Sequence, residues 1–179
     1  DGTTNFLHGI PQFAISIGLA REGVIIAGVI YNPANDELYI AERGKGAFLN
    51  DQRLRVAGRR QLNECVVACG LPHIGRGDHQ LALNEMAALQ NKVAGFRRFG
   101  AASLDLAFVA AGRLDLLPPG GQKLWDYAAG RLIPEEAGGR LCSLKHDDFD
   151  ADDLWKRSVI AAGEPGLFTA WRDWIRARR

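Results

Sequence analysis

The first third of the chain carries its apolar residues in alternation or in short blocks, not at helical spacing. Phe13-Ala14-Ile15-Ser16-Ile17-Gly18-Leu19 and Val24-Ile25-Ile26-Ala27-Gly28-Val29-Ile30 read as strands. Arg21-Glu22-Gly23 between them predicts a hairpin turn. Asn32-Pro33-Ala34-Asn35-Asp36 is a second turn signal, ahead of a strand at Glu37-Leu38-Tyr39-Ile40-Ala41. Gly44-Lys45-Gly46 leads into Ala47-Phe48-Leu49, and Asn50-Asp51 turns the chain into Arg53-Leu54-Arg55-Val56. This part predicts an antiparallel meander.

The pattern changes after about residue 62. Cys65-Val66-Val67-Ala68-Cys69 is a short apolar run of the kind a buried strand shows. Asp78 is placed to cap a helix through Gln90, with Leu81, Glu85, Ala88 and Leu89 at helical spacing. Phe96–Phe99 predicts a strand. Ser103 is read as the cap of a second helix, which has Leu104, Ala107, Phe108 and Ala111 as its apolar stripe and Gly112 as its stop. A third helix starts near Trp125-Asp126 and ends at Gly138-Gly139. Val159-Ile160-Ala161-Ala162 reads as a late strand. A last helix places Leu167, Trp171, Trp174 and Ile175 on one face, where the tryptophans read as core anchors. Helices alternating with strands predict a layered α/β sandwich. Two parts follow: 1–62, an antiparallel-sheet half, and 63–179, an α/β half.

Composition narrows the class. The chain has 179 residues, of which 47% are hydrophobic and 24% charged, the balance of a globular protein with a packed core. Its formal net charge of +1 gives no reason to expect nucleic acid as a partner. There is no apolar run of about 18 residues, so no membrane span is expected. Cys65, Cys69 and Cys142 form no CxxC pair, which argues against a disulfide framework or a zinc site and favours a reducing, cytoplasmic setting. His8, His73, His79 and His146 lack metal-ligand spacing. The stretch from His146 to Asp153 has five Asp in eight residues but lacks the glycine and terminal glutamate of a calcium loop, so it reads as a solvated surface loop.

Two acidic clusters stand beside small residues. In Asp1-Gly2-Thr3-Thr4-Asn5-Phe6, Gly2 permits a tight turn, and the threonines offer hydroxyls and N–H groups suited to an anion. Trp125-Asp126-Tyr127-Ala128-Ala129-Gly130 is followed by Glu135-Glu136-Ala137-Gly138-Gly139. Either cluster alone is compatible with an ordinary turn or an acidic first turn of a helix.

In this order, however, the clusters resemble the two signatures of the inositol monophosphatase family. Asp-Gly-Thr-x-x-Phe-x-His spans residues 1–8, and Trp-Asp-x-Ala-Ala-Gly ends in Glu-Ala-Gly-Gly. Arg98–Leu106, Ala110–Asp115 and Glu42–Asn50 also fit. The resemblance covers essentially the whole chain and is nearest to the bacterial inositol-1-monophosphatases. It implies the αβαβα-type sugar-phosphatase fold, with the first antiparallel sheet incomplete because the chain opens inside a motif. It also implies Mg²⁺-dependent hydrolysis of a small polyol phosphate by metal-activated water, and a homodimer. On the same grounds Asp1 and Asp126 are the implied metal ligands, and Thr3 orients the attacking water. Gly2 and Thr3 offer N–H groups to the phosphate, while Gly100, Ala102 and Asp126 line the polyol pocket.

The resemblance also marks departures. The family uses an upstream Glu and Asp as further ligands, so a chain beginning at Asp1 is expected to hold Mg²⁺ weakly and to be weak or inactive alone. Pro119 stands where the family usually has a Glu that binds inositol hydroxyls, and Pro134 falls inside a helix. The alternatives are a phosphatase for a nucleotide bisphosphate or histidinol phosphate, and a non-catalytic member serving as a binding or dimerisation scaffold.

Overall fold

A computed structural model describes residues 1–72, 75, 77–120, 123–148 and 158–179. A short helix, α1 (Thr3–Leu7), precedes strands β1 (Ile15–Arg21), β2 (Val24–Asn32), β3 (Glu37–Glu42), β4 (Gly46–Leu49) and β5 (Gln52–Arg53). These form an antiparallel sheet in sequential order. Its hairpins have the expected chemistry. Glu22 and Gly23 both take positive φ (52° and 80°), as do Asn50 and Asp51 (44° and 66°), so each turn twists with its strands. Asn32 closes its turn by accepting the Ala34 N–H at 3.0 Å.

The second half contributes β6 (Val66–Ala68), α2 (His79–Leu89), β7 (Gly95–Arg97), α3 (Ala102–Ala110), β8 (Leu116–Leu117), α4 (Leu124–Glu136), β9 (Arg140–Cys142), β10 (Ile160–Ala162) and α5 (Pro165–Arg176). Its sheet is mixed, in the order β7-β6-β8-β10-β9. Helices α3 and α4 lie between the two sheets, within one core cluster that runs from Ala14 and Ile30 to Leu117 and Ala161. Helices α2 and α5 cover the far face of the second sheet through Leu89, Leu167, Phe168, Trp171 and Ile175. Trp171 is thus a core anchor, and Trp174 stacks on it at 5.5 Å. The outward face of β1 leaves Ile15, Ile17 and Leu19 exposed.

Close approach fixes α4 against the first sheet. Gly18 and Gly28 are paired across β1 and β2. A Cβ on Gly18 would lie 2.6 Å from Ala128 Cβ, and one on Gly28 would lie 2.8 Å from Ala129 Cα. Since the second obstacle is helix backbone, Gly28→Val is expected to cost roughly 1–3 kcal/mol or more by forcing α4 outward. Urea unfolding would measure this, and an unchanged midpoint would refute the close-packing account.

Several sequence expectations need correction. Ser103 is not the cap of α3: the N-cap is Ala101, and Ser103 sits in the first turn with its side chain committed elsewhere. Strands β8 and β9 have no counterpart in the sequence pattern, because two or three residues carry no readable period. Pro134 does not break α4, which continues to Glu136. It lies in the last turns, close to where the helix ends at Ala137 and Gly138. The acid-rich stretch is described only to Asp148. There Asp147 is exposed but bonded to Arg172 (3.1 Å) and Arg176 (2.7 Å), while Phe149 to Asp153 lie outside the described residues, as does His73. The three cysteines are free and buried, and burial pushes the Cys65 and Cys142 thiols up to about 11. Among the described residues, no helix is long and apolar enough to cross a membrane.

Candidate active site

The two acidic clusters meet although 125 positions of sequence numbering separate Asp1 from Asp126. Gly2 turns the chain with φ 84°, in a spot where a Cβ would lie 2.7 Å from the Gln12 carbonyl oxygen. It thereby caps α1, whose first-turn N–H groups have no acceptor within the helix. The backbone of Asp1 pairs with Ala14 in both directions, at 2.8 and 2.9 Å. The Asp1 carboxylate crosses to α3, where Oδ2 accepts the Ser103 N–H at 2.8 Å and the Ser103 hydroxyl at 2.7 Å. Asp1 is therefore the acid that satisfies the start of α3, which explains why Ser103 does not cap its own helix.

Asn5 fastens the same motif from below. Its amide donates to the Gln12 and Phe99 carbonyls, both at 2.6 Å, which holds the Phe99–Gly100 segment beside α1. Asp126 lies in the first turn of α4, and its Oδ2 accepts the Lys123 N–H at 2.8 Å. The other oxygen of Asp1 and of Asp126 accepts no hydrogen bond from a described residue.

These residues line a pair of adjoining cavities. Asp1, Gly2, Thr3, Gly100 and Asp126 border an open cleft of about 1570 Å³, together with Pro119, Lys123 and the exposed Trp125. Asp1, Gly100, Ala102 and Asp126 also border a recess of about 660 Å³, with Arg98 and Asp105. All six sequence-derived candidates thus face connected space. Asn5, Trp125 and Asp105 stand within the motifs quoted above but carry no assigned role there, and Lys123 stands outside them. For Asp105 a signal existed: it is an acid inside the apolar run Leu104-Asp105-Leu106.

The donor set suits a hard cation in kind. Two carboxylates, each with one oxygen uncommitted, match Mg²⁺, which is often held by one or two carboxylates while water and substrate phosphate complete its shell. Among the described residues there is no group of three or more His, Cys, Asp or Glu side chains placed to hold a metal ion together. Cys69 borders the recess, but burial raises its thiol above the ordinary range, so it supplies no ready thiolate.

A two-sheet sandwich with α3 and α4 between the sheets, the Asp1 carboxylate at the start of α3 and Asp126 at the start of α4, is the architecture that the resemblance to the inositol monophosphatase family implies. The inositol monophosphatase family model matches residues 1–173, and the chain belongs to that family. It is 56% identical over 164 residues to an inositol-1-monophosphatase of Mesorhizobium japonicum, covering 92% of this chain and 60% of that protein. It is 47% identical over 164 residues to a putative Nus factor SuhB of Neisseria meningitidis, covering 90% and 61%. The crystal structure of the extragenic suppressor protein SuhB of Bartonella henselae superposes with a TM-score of 0.88 at 48% identity, over 98% of this chain and 67% of that one. The chain therefore spans about 60% of the length of these curated relatives.

Proposed function

We propose that the protein is a Mg²⁺-dependent phosphate-monoester hydrolase acting on inositol monophosphate or a related small polyol phosphate. The observation that carries this reading is that Asp1, Gly2, Thr3 and Asp126 all border one cleft, although Asp126 lies on a different helix from the Asp1–Thr3 turn. When bound, Mg²⁺ supplies Lewis-acid chemistry, polarising the phosphoryl oxygen and making the attacking water more acidic. The chain's own residues do the rest. Asp1 and Asp126 hold the cation, and Ser103 fixes the Asp1 carboxylate in one orientation. The N–H groups of Gly2 and Thr3 receive the phosphate oxygens, and the Thr3 hydroxyl orients the attacking water. Gly100 and Ala102, lacking bulk, leave room for the polyol. Residues 1–62 contribute the phosphate end and residues 63–179 the polyol end. We place the protein in the cytoplasm, as a homodimer.

A second reading keeps the scaffold and discards the chemistry. It is favoured by the naming of the Neisseria relative as a putative Nus factor, and by Pro119, which is buried at the cleft and offers no hydroxyl-binding group. Phosphate release from inositol monophosphate by the full-length protein, with and without Mg²⁺, separates the two. Release that requires Mg²⁺ is expected. Absence of release from polyol, sugar and nucleotide phosphates alike would leave the scaffold reading standing.

A further inference from the structure

Helix α3 is buried along nearly its whole length, with Leu104, Leu106, Ala107, Val109 and Ala110 fully enclosed. Asp105 lies in the middle of this apolar helix and is only 6% exposed. Its Oδ1 is buried and accepts no hydrogen bond from any described group. A buried carboxyl without a partner destabilises a fold, so its persistence calls for an explanation outside the helix itself. The side chain borders the 660 Å³ recess that Asp1 and Asp126 also border. Around it stand Gly70, Gly100, Ala102 and Pro118, which offer no side-chain donor, Cys69, whose thiol donates to the Met86 sulfur at 3.1 Å, and Arg98, which is exposed.

We propose that Asp105 is a ligand-contacting residue that receives a hydroxyl group of the polyol in the recess, with the phosphate held at the Asp1–Thr3 end of the cleft. This rests on the reading of the cleft as a polyol-phosphate site. Three features select a neutral hydroxyl over other ligands. A second anion would meet the carboxylates of Asp1 and Asp126, which also border the recess. A cation would want the ionised carboxylate, yet burial pushes this acid up to about 7, with Arg98 opposing the shift more weakly. A hydroxyl can donate to Oδ1 in either protonation state of the acid. Asp105 would then supply the hydroxyl recognition that Pro119 does not.

The test compares Asp105→Leu, near in shape but apolar, with Asp105→Asn, which retains the acceptor oxygen. KM and kcat are measured for inositol 1-phosphate and for p-nitrophenyl phosphate, which carries no polyol hydroxyl. Asp105→Leu is expected to raise KM for the polyol ester about tenfold or more and to leave the aryl ester within about twofold, with Asp105→Asn recovering most of the loss. Equal effects on both esters, or none on either, would overturn the assignment. Calorimetric titration of myo-inositol into each protein is independent of turnover. Binding weakened about tenfold by Asp105→Leu supports the subsite even if no ester is hydrolysed, and in that case the phosphatase reading alone fails. No binding to the wild-type protein, or equal binding by both, overturns the subsite. Asp105→Ala, which adds no volume, replaces the leucine variant should that one fail to fold.

Discussion

Asp126→Asn is expected to lower Mg²⁺-dependent phosphate release by about a hundredfold or more while moving the unfolding midpoint little. The two halves of that expectation come from the two oxygens of one side chain. Oδ2 accepts the Lys123 N–H at the start of α4, and an asparagine oxygen can take over that bond. The remaining oxygen accepts no hydrogen bond from a described residue, the side chain borders the cleft, and its value to a cation is its negative charge, which the amide lacks. Loss of one pre-placed charge-stabilising group in an active site typically costs 10²- to 10³-fold, roughly 3–4 kcal/mol of transition-state stabilisation. Asp1→Asn differs in a useful way. The Asp1 carboxylate also satisfies the first turn of α3 through Ser103, so its loss is expected to lower stability together with activity. Steady-state phosphate release and urea unfolding on the same preparations check both. Full activity in Asp126→Asn would remove Asp126 from the chemistry.

The parts of this fold that could be read in the sequence are those whose causes are local. Strands β1–β4 announce themselves by alternation and by turn residues that tolerate positive φ, such as Glu22-Gly23 and Asn50-Asp51. Asp78 is a cap in sequence and in structure, where it accepts the Leu81 N–H at 2.8 Å. Gly138, at φ 94°, ends α4 where two adjacent glycines said it should. What escaped reading has causes spread across the chain. Ser103 sits at a helix start and resembles a cap, but the group that satisfies the helix comes from Asp1, 102 positions away. Asn5 resembles an ordinary turn residue until its amide is seen holding Phe99, 94 positions away. Strands β8 and β9 exist because the β10 backbone needs partners on both sides, not because their own few residues favour extension. The candidate cleft was partly legible for the same reason. Small residues beside an acid mark places where a ligand can come near, and Gly2, Gly100 and Ala102 do border it. That Asp105 borders it too follows only from how α3 is rotated between the sheets.

The pH dependence of stability carries a distinct signature of that rotation, and Asp105→Asn is expected to erase it. Burial raises the folded-state carboxyl to about 7, whereas in the unfolded chain it titrates near the ordinary value of about 4. Below about pH 4 both states hold the proton, and the group contributes no pH dependence. Between about 4 and 7 the folded state keeps a proton that the unfolded state has released. Stability then falls as pH rises, by up to about 1.4 kcal/mol per unit for one proton. Above about 7 both states are ionised and the penalty is constant, reaching a few kcal/mol in total. Other acids oppose this trend. Glu37 is held below the ordinary range by its hydrogen bonds from Arg113, so it contributes stability above about pH 4 that is lost on acidification. The wild-type profile is therefore a sum, and the informative quantity is the difference between wild type and Asp105→Asn. That difference is expected to grow in favour of the variant from about pH 4 to about 7 and then level off, as measured by urea unfolding at intervals across the range. Parallel profiles would mean that the Asp105 carboxyl is solvated and titrates normally, and that α3 does not hold it in the apolar setting on which its unusual proton affinity depends.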